Sequence, residues 1–308
     1  MANLRRGIRD KNFLESLNNG YLKLLLNYII KDEDLDIQIR DNYINVYYKG
    51  GNILRIRSEK SFEFDKFYFF TGCKTRRKKH LVDAAKEKDP DAIRIIEKLR
   101  DRKNELIGLI KYGDYSGYFS EAKKVMDSWW SSLKEIGIAH DEKEEQHQIS
   151  RHNKGQDSDY TVLDLEYQVS TKSEFCYTGG RSKKTSPRFD IIAIHNKTGE
   201  LFIIELKKGL GAIGGKSGIE DHIDSFKYTI GRDEQNLFLA EMKELYDQKC
   251  KLGLIDSNIT IKNTPPQFVF AFAGTPQEYE IFMRKCHEEN FSGRIIYLND
   301  FKLLDTCK

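Results

Sequence analysis

The chain has 308 residues, enough for one large domain or two ordinary ones. Hydrophobic content of 39%, charged content of 32% and a mean hydropathy of −0.62 suit a globular chain with a buried core and argue against an integral membrane protein. A formal net charge of +3 is too small to identify a nucleic-acid partner, so local charge matters more.

Asn12 to Ile30 reads as an amphipathic helix, with Leu17, Tyr21, Leu24, Leu25 and Tyr28 near helical spacing. Its apolar part, Tyr21 to Ile30, carries Lys23 and Asn27 and is too short to span a bilayer. The basic stretch Met1 to Asn12 lacks a following apolar run, so no secretory signal is expected. Strands follow. Leu35, Ile37 and Ile39 alternate with polar residues, and Tyr43 to Tyr48 and Ile53 to Arg57 flank the turn Lys49-Gly50-Gly51-Asn52. Phe62, Phe64, Phe67 and Phe69 predict a further aromatic strand.

From His80 to Lys111 the pattern turns helical, punctuated by Pro90 and Gly108. Asp114-Tyr115-Ser116-Gly117-Tyr118 reads as a linker or turn. The expected organisation is therefore an N-terminal α+β module over 1–115, for recognition or interaction, and a second domain over 116–308. In that second part, Glu121 to Ile136 and Glu142 to Asn153 are predicted helices. Tyr160 to Val169, Arg188 to His195 and Glu200 to Lys207 are predicted strands. Helices over Ile219 to Ile230 and Glu234 to Leu252, a strand over Gln267 to Ala273, a helix over Pro276 to Asn290 and a strand over Arg294 to Leu298 complete it. This is an αβββαβ-type succession, an α/β (α+β overall) chain with a mixed sheet flanked by helices.

The five cysteines, Cys73, Cys176, Cys250, Cys286 and Cys307, are scattered, odd in number and form no CxxC pair. That excludes a zinc ribbon, weighs against a disulfide framework and points to a reducing, cytoplasmic setting. Three basic clusters stand out: Lys74 with Arg76 to Lys79, Arg181 with Lys183, Lys184 and Arg188, and Lys207 with Lys208 and Lys216. Each is by itself an ordinary solvated face, but the last two flank the segment that carries the chemistry.

That segment runs from Phe189 to Lys207. Asn196-Lys197-Thr198-Gly199 fits a four-residue hairpin loop, with Gly199 in the left-handed position that tolerates no Cβ. If His195 pairs with Glu200, the same register sets Asp190 opposite Glu205. Glu205 and Lys207, two apart, share that face. Phe202, Ile204 and Leu206 face the other way. Charges at the end of such apolar strands are costly unless paired or ligating a metal, and a slip of one residue would scatter them. Two such carboxylates, with the Leu206 backbone carbonyl, make a hard-oxygen site for Mg²⁺ or Mn²⁺. Lys207 would then orient a water or neutralise charge on a phosphodiester.

Asp190, followed fifteen positions later by Glu205-Leu206-Lys207, resembles the PD-(D/E)XK superfamily of restriction endonuclease-like nucleases. The resemblance implies a restriction endonuclease-like core, an Asp and a Glu that bind metal, a Lys that assists hydrolysis, and DNA as the nucleic-acid partner. It covers Glu142 to Leu298 as a succession of elements and only the hairpin at residue level. The family's proline directly before the Asp is here Phe189, with Pro187 three positions ahead of Asp190.

Other candidates are less specific. Glu145, three residues from Glu142, and Glu166, in phase with Asp164, could add metal ligands. Lys208, Lys184, Lys216 and His222 are candidate nucleic-acid contacts. Trp129 and Trp130 could stack bases, although core packing is the default for such residues. The glycine-rich stretch Gly209 to Gly218 with Lys216 departs from a P-loop, because Leu210 stands where the first glycine belongs. The expected function is a Mg²⁺-dependent deoxyribonuclease, used in restriction or defence and acting as a homodimer if it cuts both strands. A catalytically inactive nucleic-acid-binding scaffold and a phosphotransferase built on Lys216 are the alternatives.

Overall fold

The computed structural model describes residues 6–65, 83–135, 141–155, 158–168, 188–210, 219–230, 236–256, 259–289 and 291–305. The fold is mixed α and β, and the described residues form a four-stranded antiparallel sheet and a six-stranded mixed sheet. The chain divides into two compact units. The N-terminal unit is Ile8–His147, and the C-terminal unit is Gln148–Lys308 together with Met1–Gly7. No helix among the described residues is long and apolar enough to cross a membrane.

In the N-terminal unit the expected single helix is two, α1 (Lys11–Asn18) and α2 (Lys23–Lys31). The break falls at Gly20, where the chain doubles back so tightly that a Cβ would lie 2.8 Å from the Ser16 Cα. Strands β1 (Leu35–Ile39), β2 (Ile44–Tyr48), β3 (Gly51–Ser58) and β4 (Ser61–Glu63) then pair in sequence order. Lys49 and Gly50 both take positive φ, the geometry of a tight hairpin turn. The predicted strand positions Phe67 and Phe69 lie outside the described residues.

Helices α3 (Pro90–Asp101), α4 (Lys103–Lys111) and α5 (Tyr115–Glu135) follow, Asp89 capping α3 ahead of Pro90. Residues 114–118 are a helix start and not a linker. Asp114 Oδ1 accepts the Gly117 N–H at 2.9 Å, and its carbonyl accepts the Tyr118 N–H. α5 buries Tyr118, Phe119, Met126 and Trp129, and the Tyr118 hydroxyl donates to the Ile53 carbonyl of β3 at 2.8 Å. These contacts hold α5 in the N-terminal unit, which is why the division falls at 147/148, inside α6 (Asp141–His152), and not at 115/116. Trp129 is core.

The C-terminal unit is built on β5 (Tyr160–Gln168), β6 (Arg188–His195), β7 (Leu201–Lys208), β8 (Gln267–Ala273), β9 (Ile295–Asn299) and β10 (Lys302–Leu304), in the order β10-β9-β8-β7-β6-β5. β5, β6 and β7 form an antiparallel meander, and β8 and β9 run parallel to β7. Helices α7 (Ile219–Thr229) and α8 (Leu237–Lys251) lie between β7 and β8 in sequence. α9 (Pro276–Glu288), opened by a Thr275–Glu278 capping box, leads to β9.

Strand alternation sorts the sheet into two faces. One carries Val162, Ile191, Ala193, Phe202, Ile204, Leu206 and Val269 in a single core cluster with Ile149 of α6. On the other, Phe226 of α7 stacks on Phe268, while Phe282 of α9 packs on Phe270 and Phe272. At the turn end of the β6–β7 hairpin, His195 Nε2 lies 3.0 Å from Asp305, which also accepts the Tyr160 hydroxyl.

Gly199 fixes the hairpin turn twice over. Its φ is +71°, and a Cβ on it would come 2.0 Å from the Thr260 carbonyl. Gly199→Ala is expected to cost about 1–3 kcal/mol, seen as a fall in Tm by circular dichroism. An unchanged Tm would mean that this turn does not hold the register.

Candidate active site

The β6–β7 ladder pairs Ile194 with Leu201 through Ile191 with Ile204, the register expected from the turn. Continued by one step, it sets Asp190 across from Glu205. Beyond the ladder's end the Leu206 N–H donates to Asp190 Oδ2 at 3.0 Å, so this carboxylate reaches directly onto β7. In an extended strand the N–H and C=O of one residue share an edge. The Leu206 carbonyl therefore faces the same side as its amide, toward β6.

Asp190, Glu205 and Lys207 are 7%, 4% and 4% exposed. Lys207 Nζ lies 3.5 Å from Glu205 Oε1, and His222 Nδ1 lies 3.1 Å from the same oxygen. Glu205 Oε2 is buried and has no hydrogen-bond partner. Burial above all, and then the nearby Asp190 charge, hold the Glu205 carboxyl well above the usual carboxylate range, against the pull of Lys207. Within this trio two carboxyl groups stand with one ammonium.

The donor set fits a hard divalent ion. A buried carboxylate oxygen without a partner stands near a second carboxylate and on the strand of a correctly turned carbonyl. Mg²⁺ keeps several waters and takes one or two carboxylates, so two side-chain ligands suffice. No group of three or more His, Cys, Asp or Glu side chains among the described residues is arranged to hold a metal.

The other candidates fare differently. Glu166 is half-buried on β5, the strand beside β6. β5 carries a bulge between Val162 and Asp164, Glu166 takes a φ of +51°, and its carboxylate pairs with Arg188 at 3.2 Å. Period-two counting from Asp164 cannot anticipate this pairing. Glu145 is buried on α6 and belongs to the N-terminal unit; Glu142 is exposed. Lys208 is exposed at the end of β7. Lys184 and Lys216, with most of the glycine-rich stretch, lie outside the described residues. His222, a candidate for contact with a phosphate or water, meets a carboxylate of the site. Its sequence offered no signal for that contact beyond its nearness to the hairpin.

Compared with known protein families, curated proteins and solved structures, the chain matches none.

Proposed function

We propose that the chain is a divalent-metal-dependent endonuclease that hydrolyses phosphodiester bonds of DNA. The observation that carries this reading is the buried Asp190–Glu205–Lys207 group, in which Glu205 Oε2 is left without a partner. Buried charge is tolerated in a fold when it is paired or ligates a metal. Here it is only partly paired. The order of elements, a helix, three antiparallel strands, two helices and a parallel strand, follows the αβββαβ-type succession read from the sequence and supports this reading.

Asp190 and Glu205 would hold Mg²⁺ or Mn²⁺ together with the Leu206 carbonyl. A cation bound there would polarise a phosphodiester oxygen and acidify a water. Lys207 neutralises charge gathering on the phosphate and helps orient the attacking water. Lys208, exposed just beyond the site, contacts the backbone of the substrate strand. Cutting both strands takes two such sites, and therefore two copies of the chain or two encounters.

The test is incubation of the full chain with supercoiled plasmid and with single-stranded DNA, in Mg²⁺, in Mn²⁺ and in excess chelator. Nicking or linearisation that requires the metal is the expected result. Equal breakdown with and without chelator, or none under any condition, would overturn the reading.

A further inference from the structure

We infer that His222 is a positioning residue: its Nδ1–H holds Glu205 Oε1 and thereby reserves Oε2 for the cation. This rests on the metal-dependent reading above and extends it to the helix that follows the site. The Glu205 carboxylate is divided in its surroundings. Oε1 has His222 Nδ1 at 3.1 Å and accepts from Lys207 Nζ at 3.5 Å, while Oε2 is buried and has no hydrogen-bond partner. A carboxylate held through one oxygen cannot rotate freely about its terminal bond, so the direction of the other is set. Outer contacts of this kind orient metal ligands and commonly change affinity by about 10–100-fold.

The placement of His222 follows from how α7 docks. Phe226 of α7 stacks on Phe268 of β8, with ring centroids 5.2 Å apart. In the sheet, Phe268 lies beside Ile203 and Phe270 beside Glu205. One helical turn back from Phe226 is His222. Four helical residues advance about 6 Å and two strand residues about 6.6 Å, so a helix running against β7 and β8 brings His222 over Glu205 when Phe226 sits over Phe268. Packing at the phenylalanine pair thus registers the imidazole on the carboxylate. With its side chain 21% exposed, His222 is the most accessible of the groups on Glu205.

The test compares wild type, His222→Ala and His222→Asn. The Asn amide nitrogen occupies nearly the place of Nδ1 and can donate the same bond. Mn²⁺ binding without DNA is measured by electron paramagnetic resonance, alongside cleavage as a function of Mn²⁺ concentration and the Tm of each chelated protein. His222→Ala should weaken Mn²⁺ binding about 10–100-fold and shift cleavage to higher Mn²⁺, with the maximal rate largely recovered at saturation. His222→Asn should restore most of the affinity. A Tm fall in His222→Ala with Mn²⁺ affinity unchanged would overturn the inference and leave the nuclease reading standing. Wild type that neither binds Mn²⁺ nor cleaves DNA would overturn both.

Discussion

Lys207→Ala should lower the single-turnover rate of Mg²⁺-dependent DNA cleavage by about 10²–10³-fold, the cost typical of losing one preorganised electrostatic contact to the reacting group. The side chain is 4% exposed and its Nζ is held beside Glu205 Oε1. It is therefore fixed before substrate arrives, and charge developing on the phosphate meets an ammonium that need not reorganise. Lys207→Arg should recover little, because a planar fork does not fit where a compact ammonium is enclosed. Asp190→Ala should fall at least as far, since it removes a proposed metal ligand and also the acceptor of the Leu206 N–H. Rapid-quench measurement on an end-labelled duplex, with each variant shown to be folded by circular dichroism, separates the chemical step from product release. Cleavage by folded Lys207→Ala and Asp190→Ala at the wild-type rate would remove these residues from the chemistry.

The hairpin is the part of the molecule that the sequence displays most openly, and the reason is local. A four-residue loop ending in glycine fixes the register, and alternation along two apolar strands then fixes which side chains share a face. Asp190, Glu205 and Lys207 follow from those two facts, and β6 and β8 occupy the residues expected of them. Where local rules were broken or distant parts of the chain met, reading failed. The positive φ of Glu166 departs from the extended backbone on which the alternation from Asp164 relies. Asp114 and Gly117 have linker-like chemistry, yet the same residue types start helices, and only the burial of α5 against β3 decides between the two. His222 reaches Glu205 through the stacking of Phe226 on Phe268, a contact across more than forty residues that no spacing rule encodes. The sequence therefore yields the charged face of one hairpin and the helix that follows it, and conceals how that helix is laid over the site.

Glu205→Gln should abolish metal-dependent cleavage and yet make the chelated protein more stable at neutral and alkaline pH. Burial and the Asp190 charge raise the folded-state pKa of Glu205 above its ordinary value of 4.5. A carboxyl raised on folding favours the fold in its protonated form. That contribution is fully present below about pH 4.5 and is lost as pH rises through the folded value. Above that value wild type keeps a buried carboxylate with one unpartnered oxygen, which the neutral amide relieves. The advantage of the variant should be near zero in acid, grow as pH rises and level off at about 1–3 kcal/mol. For a unit of this size that is several degrees of Tm. Mn²⁺ should reverse the order. A ligand bound only by the folded state at a hundred times its Kd adds about 2.7 kcal/mol, and only wild type retains both carboxylates to bind it. Melting curves at several pH values, in chelator and in Mn²⁺, read both effects together. A Glu205→Gln protein less stable than wild type in chelator at pH 8 would mean that the carboxylate is already well satisfied by the protein. The unpartnered oxygen would then lose its meaning as a place kept for a metal.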